Sequence, residues 1–112
     1  MNDNKPVYAV VVTFNRIKTL INTIQALLVQ TQEPEAIVII DNASTDGTKT
    51  TVENEFKHLK SIIYHRLDSN TGGAGGFYAG AKIAVESGAK WVWMMDDDCI
   101  PDKECLETLM TG

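Results

Sequence analysis

The sequence predicts an α/β fold built on a mostly parallel sheet with helices on both faces, and three observations carry that prediction. Short apolar runs alternate with segments whose apolar residues recur at helical spacing, in the order β-α-β-α-β-α-β-α. The first two runs are rich in Val and Ile and lack the polar alternation of a half-exposed strand, so both faces of the sheet are expected to be covered. Polar and glycine-rich clusters follow the runs instead of interrupting them, as in open sheets whose strand ends converge on a ligand. With 112 residues, no internal repeat and no linker, the chain from 1 to 112 reads as one domain.

In order, Val7 to Phe14 is the first strand. Asn15 is expected to cap a helix whose face carries Ile17, Leu20, Ile21, Ile24, Leu27 and Leu28, and Pro34 stops it. Ala36 to Ile40 is the second strand, ending at Asp41-Asn42. The turn Ser44-Thr45-Asp46-Gly47 then leads into a second helix through about Lys57, with only Val52, Phe56 and Leu59 to bury. Ser61 to Arg66 is the third strand, and the loop after it holds five of the eight glycines: Gly72, Gly73, Gly75, Gly76 and Gly80. A third helix runs from about Gly76 to Ser87, presents Phe77, Ala81, Ala84 and Val85 on one face, and stops at Gly88. The fourth strand, Trp91 to Met95, runs straight into Asp96-Asp97-Asp98, and a short helix from about Asp102 to Met110 comes after it.

Composition narrows the function. At 44% hydrophobic and 22% charged residues the chain has ordinary globular content and is not disordered. The longest uncharged stretch, Thr19 to Gln32, includes Asn22, Gln25 and Gln30 and does not read as a membrane span. The opening Met-Asn-Asp-Asn-Lys lacks the order of a secretory signal. Cys99 and Cys105, with no histidine nearby, read as buried or inert thiols of a cytoplasmic protein. The net charge of -5 is local: from Asp96 onward six acids stand against Lys103, while residues 1 to 95 balance. A neutral body argues against a nucleic-acid partner, which requires a basic face, and against a polybasic membrane anchor. The acidic end invites a cation.

Three adjacent carboxylates after a buried strand repel one another unless a cation or hydrogen-bond donors offset the repulsion. Along an extended segment Asp96 and Asp98 face one way while Asp97 turns aside, and oxygen ligands suit the hard ions Mg²⁺ and Mn²⁺. The plainer alternative is a solvated acidic turn capping the next helix. A calcium loop fails, because its fifth and sixth positions would be Ile100 and Pro101. The glycine loop is either a phosphate cradle or a permissive turn that lets the third helix pack closely. It fits neither the dinucleotide fingerprint, which meets Tyr78 where glycine is needed, nor the P-loop, which meets Ala81 where lysine is needed. Asp41 could accept an imide N–H of a uracil or thymine ring, or simply cap its turn. Arg16 could meet a diphosphate or be a solvated first-turn residue. His58 and His65 read as structural.

The runs Val11-Val12-Thr13-Phe14-Asn15-Arg16, Asp41-Asn42-Ala43-Ser44-Thr45-Asp46-Gly47-Thr48, Asn70-Thr71-Gly72-Gly73-Ala74-Gly75-Gly76-Phe77 and Met95-Asp96-Asp97-Asp98 together resemble glycosyltransferase family 2. These are inverting enzymes of the GT-A fold, with a Rossmann-like nucleotide-binding half, that use nucleotide-diphosphate sugars. The glycine loop and the Trp-Val-Trp-Met-Met-Asp-Asp-Asp run look most like the rhamnosyl- and galactofuranosyltransferase branch, which implies bacterial cell-wall or polysaccharide synthesis. The resemblance implies that Thr13 and Phe14 line the base pocket, Arg16 lies beside the nucleotide, Asp41 accepts the imide N–H, and Asn70 and Gly73 border nucleotide and sugar. It further implies that Asp96 and Asp98 match the family's Asp-x-Asp, with Asp98 ligating Mn²⁺ or Mg²⁺ between the phosphates, Asp96 near the ribose and the metal's waters, and Asp97 a second candidate. The implied donor is a UDP- or dTDP-sugar and the implied acceptor a glycan or a lipid-linked sugar, in the cytoplasm or at the inner membrane face.

One departure qualifies this. The family's general base, which deprotonates the acceptor hydroxyl, lies downstream of the metal motif, and the sequence ends 14 residues after Asp98. The expectation is therefore a donor-binding half without its catalytic base, with a non-catalytic nucleotide- or metal-binding module as the alternative. If the fourth strand lies beside the first, it also leaves an edge carrying Trp91 and Trp93, from which self-association is expected.

Overall fold

A computed structural model describes residues 6–111. The eight elements come in the expected order: β1 (Val7–Thr13), α1 (Ile17–Leu28), β2 (Ala36–Asp41), α2 (Thr48–Phe56), β3 (Ile62–Arg66), α3 (Gly72–Glu86), β4 (Trp91–Asp96) and α4 (Cys105–Thr111). The four strands form one parallel sheet in the order β3-β2-β1-β4.

The strand order explains the two faces. The first two crossovers step outward from β1 to β2 to β3, and the third returns past β1 to β4. Since such crossovers are right-handed, reversing direction moves the helix to the opposite face. Accordingly Ala9, Val11, Ile37 and Ile39 pack under α1 and α2, against Leu20, Ile24, Leu27, Val52 and Phe56. The alternate strand residues Tyr8, Val10, Val12, Val38 and Ile40 meet α3 at Ala84. β1 and β2 are buried along their full lengths, as their unbroken apolar character implies.

α3 departs from its expected form in two ways. It begins at Gly72 rather than Gly76, so the glycine run is the helix's first turns and not a loop before it. Its buried stripe is Gly76, Gly80 and Ala84, while Val85 is 63% exposed. A Cβ on Gly76 would lie 2.6 Å from Val12 Cγ1, and one on Gly80 would overlap Val10 Cγ1. The absent side chains let the helix backbone rest directly on β1.

The entry to α1 also differs. Arg16 is the N-cap residue, and the carboxylate that meets the first helical N–H comes from another loop: Ile17 N donates to Asp46 Oδ2 at 3.2 Å. Asn15, expected as the cap, is left-handed with φ 51° and ties that loop down instead. Its N–H donates to Ser44 Oγ at 2.8 Å, and its Oδ1 accepts from Thr45 N at 2.7 Å. α4 starts at Cys105, three residues later than its spacing suggests.

Candidate functional site

The strand order reverses at β1, and beyond the carboxyl ends of β1 and β4 lies a cleft of about 420 Å³. Val12, Thr13, Phe14 and Arg16 line it from β1 and the loop after it, Asp96, Asp97 and Asp98 from the end of β4, and Asn42, Asn70, Gly72 and Gly73 from the side of α3. Val12 and Asp96 are register partners across the two strands, so parallel pairing alone brings the first motif against the last.

The acidic run is a turn rather than an extended segment. Cys99 N donates to Asp96 O at 3.2 Å, which folds Asp97 and Asp98 into the bend. Asp97 points inward and is only 4% exposed, while Asp96 and Asp98 are exposed on either side. The extended alternation expected for the three carboxylates is replaced by a turn that buries the middle one, and all three still line the cleft. Thr13 Oγ1 donates to Asp97 Oδ2 at 2.8 Å, and Arg16 Nη1 lies 3.5 Å from Asp97 Oδ1. Arg16 Nη2 lies 3.7 Å from Asp98 Oδ2. These contacts supply the donors and positive charge that an acidic triplet needs.

The opposite wall is set by Asn42, which sequence reasoning passed over as a site residue. It is buried, with Oδ1 accepting from Thr71 N and Oγ1 at 3.1 Å each and Nδ2 donating to Gly72 O at 3.0 Å. Its signal was its place beside Asp41 at a strand end. Asn70 Oδ1 accepts from Gly72 N at 2.8 Å, a side-chain turn that starts α3. Gly72 has φ 76°, a conformation that favours glycine, and neither Gly72 nor Gly73 has atoms within 4 Å of a built Cβ. The glycine run therefore divides: Gly76 and Gly80 serve packing, while Gly72 and Gly73 leave bare backbone at the cleft.

Asp41 is the one expected site residue outside the cleft lining. It has no exposed surface, and its carboxylate accepts from Ser44 N at 2.8 Å, from the Tyr64 hydroxyl, and from Arg66 Nη1 at 3.4 Å. Tyr64 and Arg66 share Oδ2, while Oδ1 has Ser44 N alone. Partial burial, followed by the hydrogen bond to Asp41 and its charge, pushes the Tyr64 phenol above its ordinary range, with Arg66 pulling the other way.

The remaining titratable groups carry little. His58 and His65 are exposed and lie outside the cleft. Cys99 is exposed rather than buried, and partial burial, then Cys105, Asp98 and Asp96, push its thiol up, which disfavours the reactive thiolate. Among the described residues no group of three or more His, Cys, Asp and Glu could hold a metal ion; the carboxylates lining the cleft are Asp96, Asp97 and Asp98. No helix among the described residues is long and apolar enough to cross a membrane.

Residues 8–111 match the family model described as glycosyl transferase family 2. The galactofuranosyltransferase GlfT1 of Mycobacterium tuberculosis is 38% identical over 107 residues, which cover 93% of this chain and 34% of that protein. The S. aureus TarS 1–349 structure in complex with UDP superposes with a TM-score of 0.80 at 24% identity, covering 95% of this chain and 31% of that one. The mannosyltransferase PcManGT from Pyrobaculum calidifontis, in complex with GDP-Man and Mn²⁺, superposes at 0.72 with 21% identity, covering 87% and 29%. The chain spans about a third of the length of the relatives it matches. With the family model covering nearly all of its residues, the chain belongs to glycosyltransferase family 2.

Proposed function

We propose that the cleft between the ends of β1 and β4 binds the nucleotide diphosphate of a UDP- or dTDP-sugar together with Mn²⁺ or Mg²⁺. The observation that carries this reading is the pairing of two exposed carboxylates, Asp96 and Asp98, with an arginine and bare glycine backbone around one cleft. Two protein carboxylates are what a hard cation takes when it shares its remaining coordination with phosphates and water. The donor set therefore fits the ion, with Asp98 as ligand and Asp96 as ligand or holder of its waters.

In this reading Phe14, 42% exposed beside the buried end of β1, offers a ring face to the base. Thr13 contributes backbone only, because its hydroxyl is committed to Asp97. Arg16 turns toward the diphosphate, Asn70 and Gly73 border nucleotide and sugar, and Asp97 holds the turn. Asp41, held by Ser44 N at 2.8 Å, accepts the imide N–H of the base through its remaining lone pair. When bound, the ion neutralises charge on the departing diphosphate. Transfer to a glycan or lipid-linked acceptor, at the cytoplasmic side of a membrane, is proposed for the longer proteins of this kind, whose additional length would supply the general base. M. tuberculosis GlfT1 carries galactofuranosyltransferase in its name, and a galactofuranose donor is a specific form of the same proposal.

Calorimetric titration of the folded chain with UDP and dTDP, with and without Mn²⁺, tests the reading. Metal-dependent binding that disappears in Asp98→Ala and weakens in Asp96→Ala is expected. A folded chain that binds neither nucleotide more tightly with the metal would overturn it.

A further inference from the structure

We propose that Thr23, in the middle of α1, is a positioning residue for the acidic turn, an inference that rests on the reading of the cleft above. The buried face of α1 is Leu20, Thr23, Ile24 and Leu27, so Thr23 is its one polar member and is fully buried. A threonine inside a helix commonly satisfies its hydroxyl on a carbonyl one turn back. Thr23 instead donates to Asp97 O at 2.7 Å, 74 residues away.

That bond completes a three-sided grip on Asp97. Its carbonyl is held by Thr23, one carboxylate oxygen by Thr13 at 2.8 Å, and the other faces Arg16 at 3.5 Å. With the middle residue tied inward, its neighbours Asp96 and Asp98 are both left facing solvent at the cleft. Seven residues further along, Gln30 repeats the arrangement. It is buried, its Nε2 donates to Asp102 O at 2.6 Å and to Ala26 O at 3.2 Å, and its Oε1 accepts from Leu106 N at 3.0 Å. The connection from the acidic turn to α4 thus hangs from Thr23 within α1 and, just past the end of that helix, from Gln30 and from Thr31, whose N–H donates to Lys103 O at 2.7 Å. Thr23 governs the turn and Gln30 governs the segment leading to α4. A carboxylate pair must be held to a fraction of an ångström to serve one ion.

Three variants separate the hydroxyl from the packing: Thr23→Val removes the donor at nearly constant volume, Thr23→Ser keeps it, and Gln30→Met removes only the Gln30 bonds downstream of the turn. Amide exchange by NMR reports the turn through Cys99 N–H, which bonds to Asp96 O, and calorimetry reports UDP binding with Mn²⁺. In Thr23→Val the Cys99 amide should exchange about tenfold faster and Mn²⁺-supported UDP binding should weaken about tenfold, while the amides of β1 and β2 are unchanged. Thr23→Ser should stay within about threefold of the parent on both measures, and Gln30→Met should leave Cys99 protected. Should the valine chain fail to fold, Thr23→Ala takes its place with the same expectations. Unchanged Cys99 exchange in Thr23→Val, uniform acceleration of every amide, or a serine variant as impaired as the valine one overturns the proposal. If the parent chain shows no metal-dependent UDP binding while Cys99 still responds to loss of the hydroxyl, the reading of the cleft fails and the positioning role stands.

Discussion

Arg16 stands with its guanidinium 3.7 Å from the Asp98 carboxylate and 3.5 Å from that of Asp97, so a fixed cation already faces the acidic turn. The two contacts differ in kind: the Asp97 side chain is 6% exposed, whereas Arg16 and Asp98 are 50% and 55% exposed. The outer pair is therefore screened and easily exchanged, at up to about 1 kcal/mol. Arg16→Gln is expected to strengthen Mn²⁺ binding to the nucleotide-free chain by no more than about fivefold, because a competing charge is removed. The same variant should weaken UDP binding. Manganese EPR titration checks the first expectation, and weaker metal binding would contradict it.

Tyr64 ties alkaline stability to Asp41. Its phenol is pushed above the ordinary value of 10.0 in the folded chain, so the neutral form is favoured there. A group whose folded pKa is raised contributes stability fully below its unfolded pKa, and that contribution is lost as pH rises from about 10 upward. Tyr64→Phe should therefore be less stable than the parent at about pH 8, and the gap should narrow at about pH 11. Urea unfolding of both chains at the two pH values measures it; a gap independent of pH would argue that the bond to Asp41 does not titrate.

Gly80 sets two effects against each other. Replacing glycine by alanine in a helix gains about 1 kcal/mol of propensity. At Gly80 the new Cβ would overlap Val10 Cγ1 in a strand residue with no exposure, and overpacking of this kind costs about 1–3 kcal/mol. Val10 is fully buried, so the clash is expected to outweigh the propensity and Gly80→Ala to lower the melting temperature, by up to roughly 10 °C. Gly73→Ala, which meets nothing within 4 Å, should leave melting unchanged or slightly raised while narrowing the cleft. Thermal unfolding of the pair decides whether close packing explains the first glycine and not the second.

β4 is the outer strand beside β1 among the described residues, and it carries Trp91 at 53% and Met94 at 52% exposure. Trp91, Trp93, Leu106, Leu109 and Met110 also border an apolar groove of about 330 Å³ on that side. An exposed edge with large apolar residues tends to pair, so the chain is expected to self-associate with increasing concentration. Trp91→Lys should restore the monomer mass in light scattering. A parent chain that stays monomeric at high concentration would remove the edge as an interface.

Much of the fold is legible in the sequence because its cause is local. The apolar runs of β1 and β2 and the stop at Pro34 need no partner to be read, and the order of elements sets the number of crossovers. The glycines are less legible. Gly72 to Gly75 reads as a loop because glycine disfavours helix in isolation; the helix starts there with Asn70 Oδ1 accepting from Gly72 N and with Asn42, from the end of β2, bonded to Thr71 N and Gly72 O, a partner no local rule contains. The same holds for Asn15, whose capping role passes to Asp46 once the two loops meet.

The sequence by itself determined the α/β order, the acidic end with its invitation to a cation, and the motifs of a glycosyltransferase family. Those are carried by periodicity, charge and residue type along the chain. Only the tertiary structure decided what holds the middle carboxylate of the cleft buried. Asp96, Asp97 and Asp98 are chemically identical, and they are told apart by hydroxyls from Thr13 and Thr23 that lie 84 and 74 residues away from Asp97. Asp41 likewise takes bonds from Tyr64 and Arg66 on the neighbouring strand. A buried carboxylate goes where its donors are, and donors contributed by other strands and helices are positioned by the sheet, not by the residues beside it in the chain.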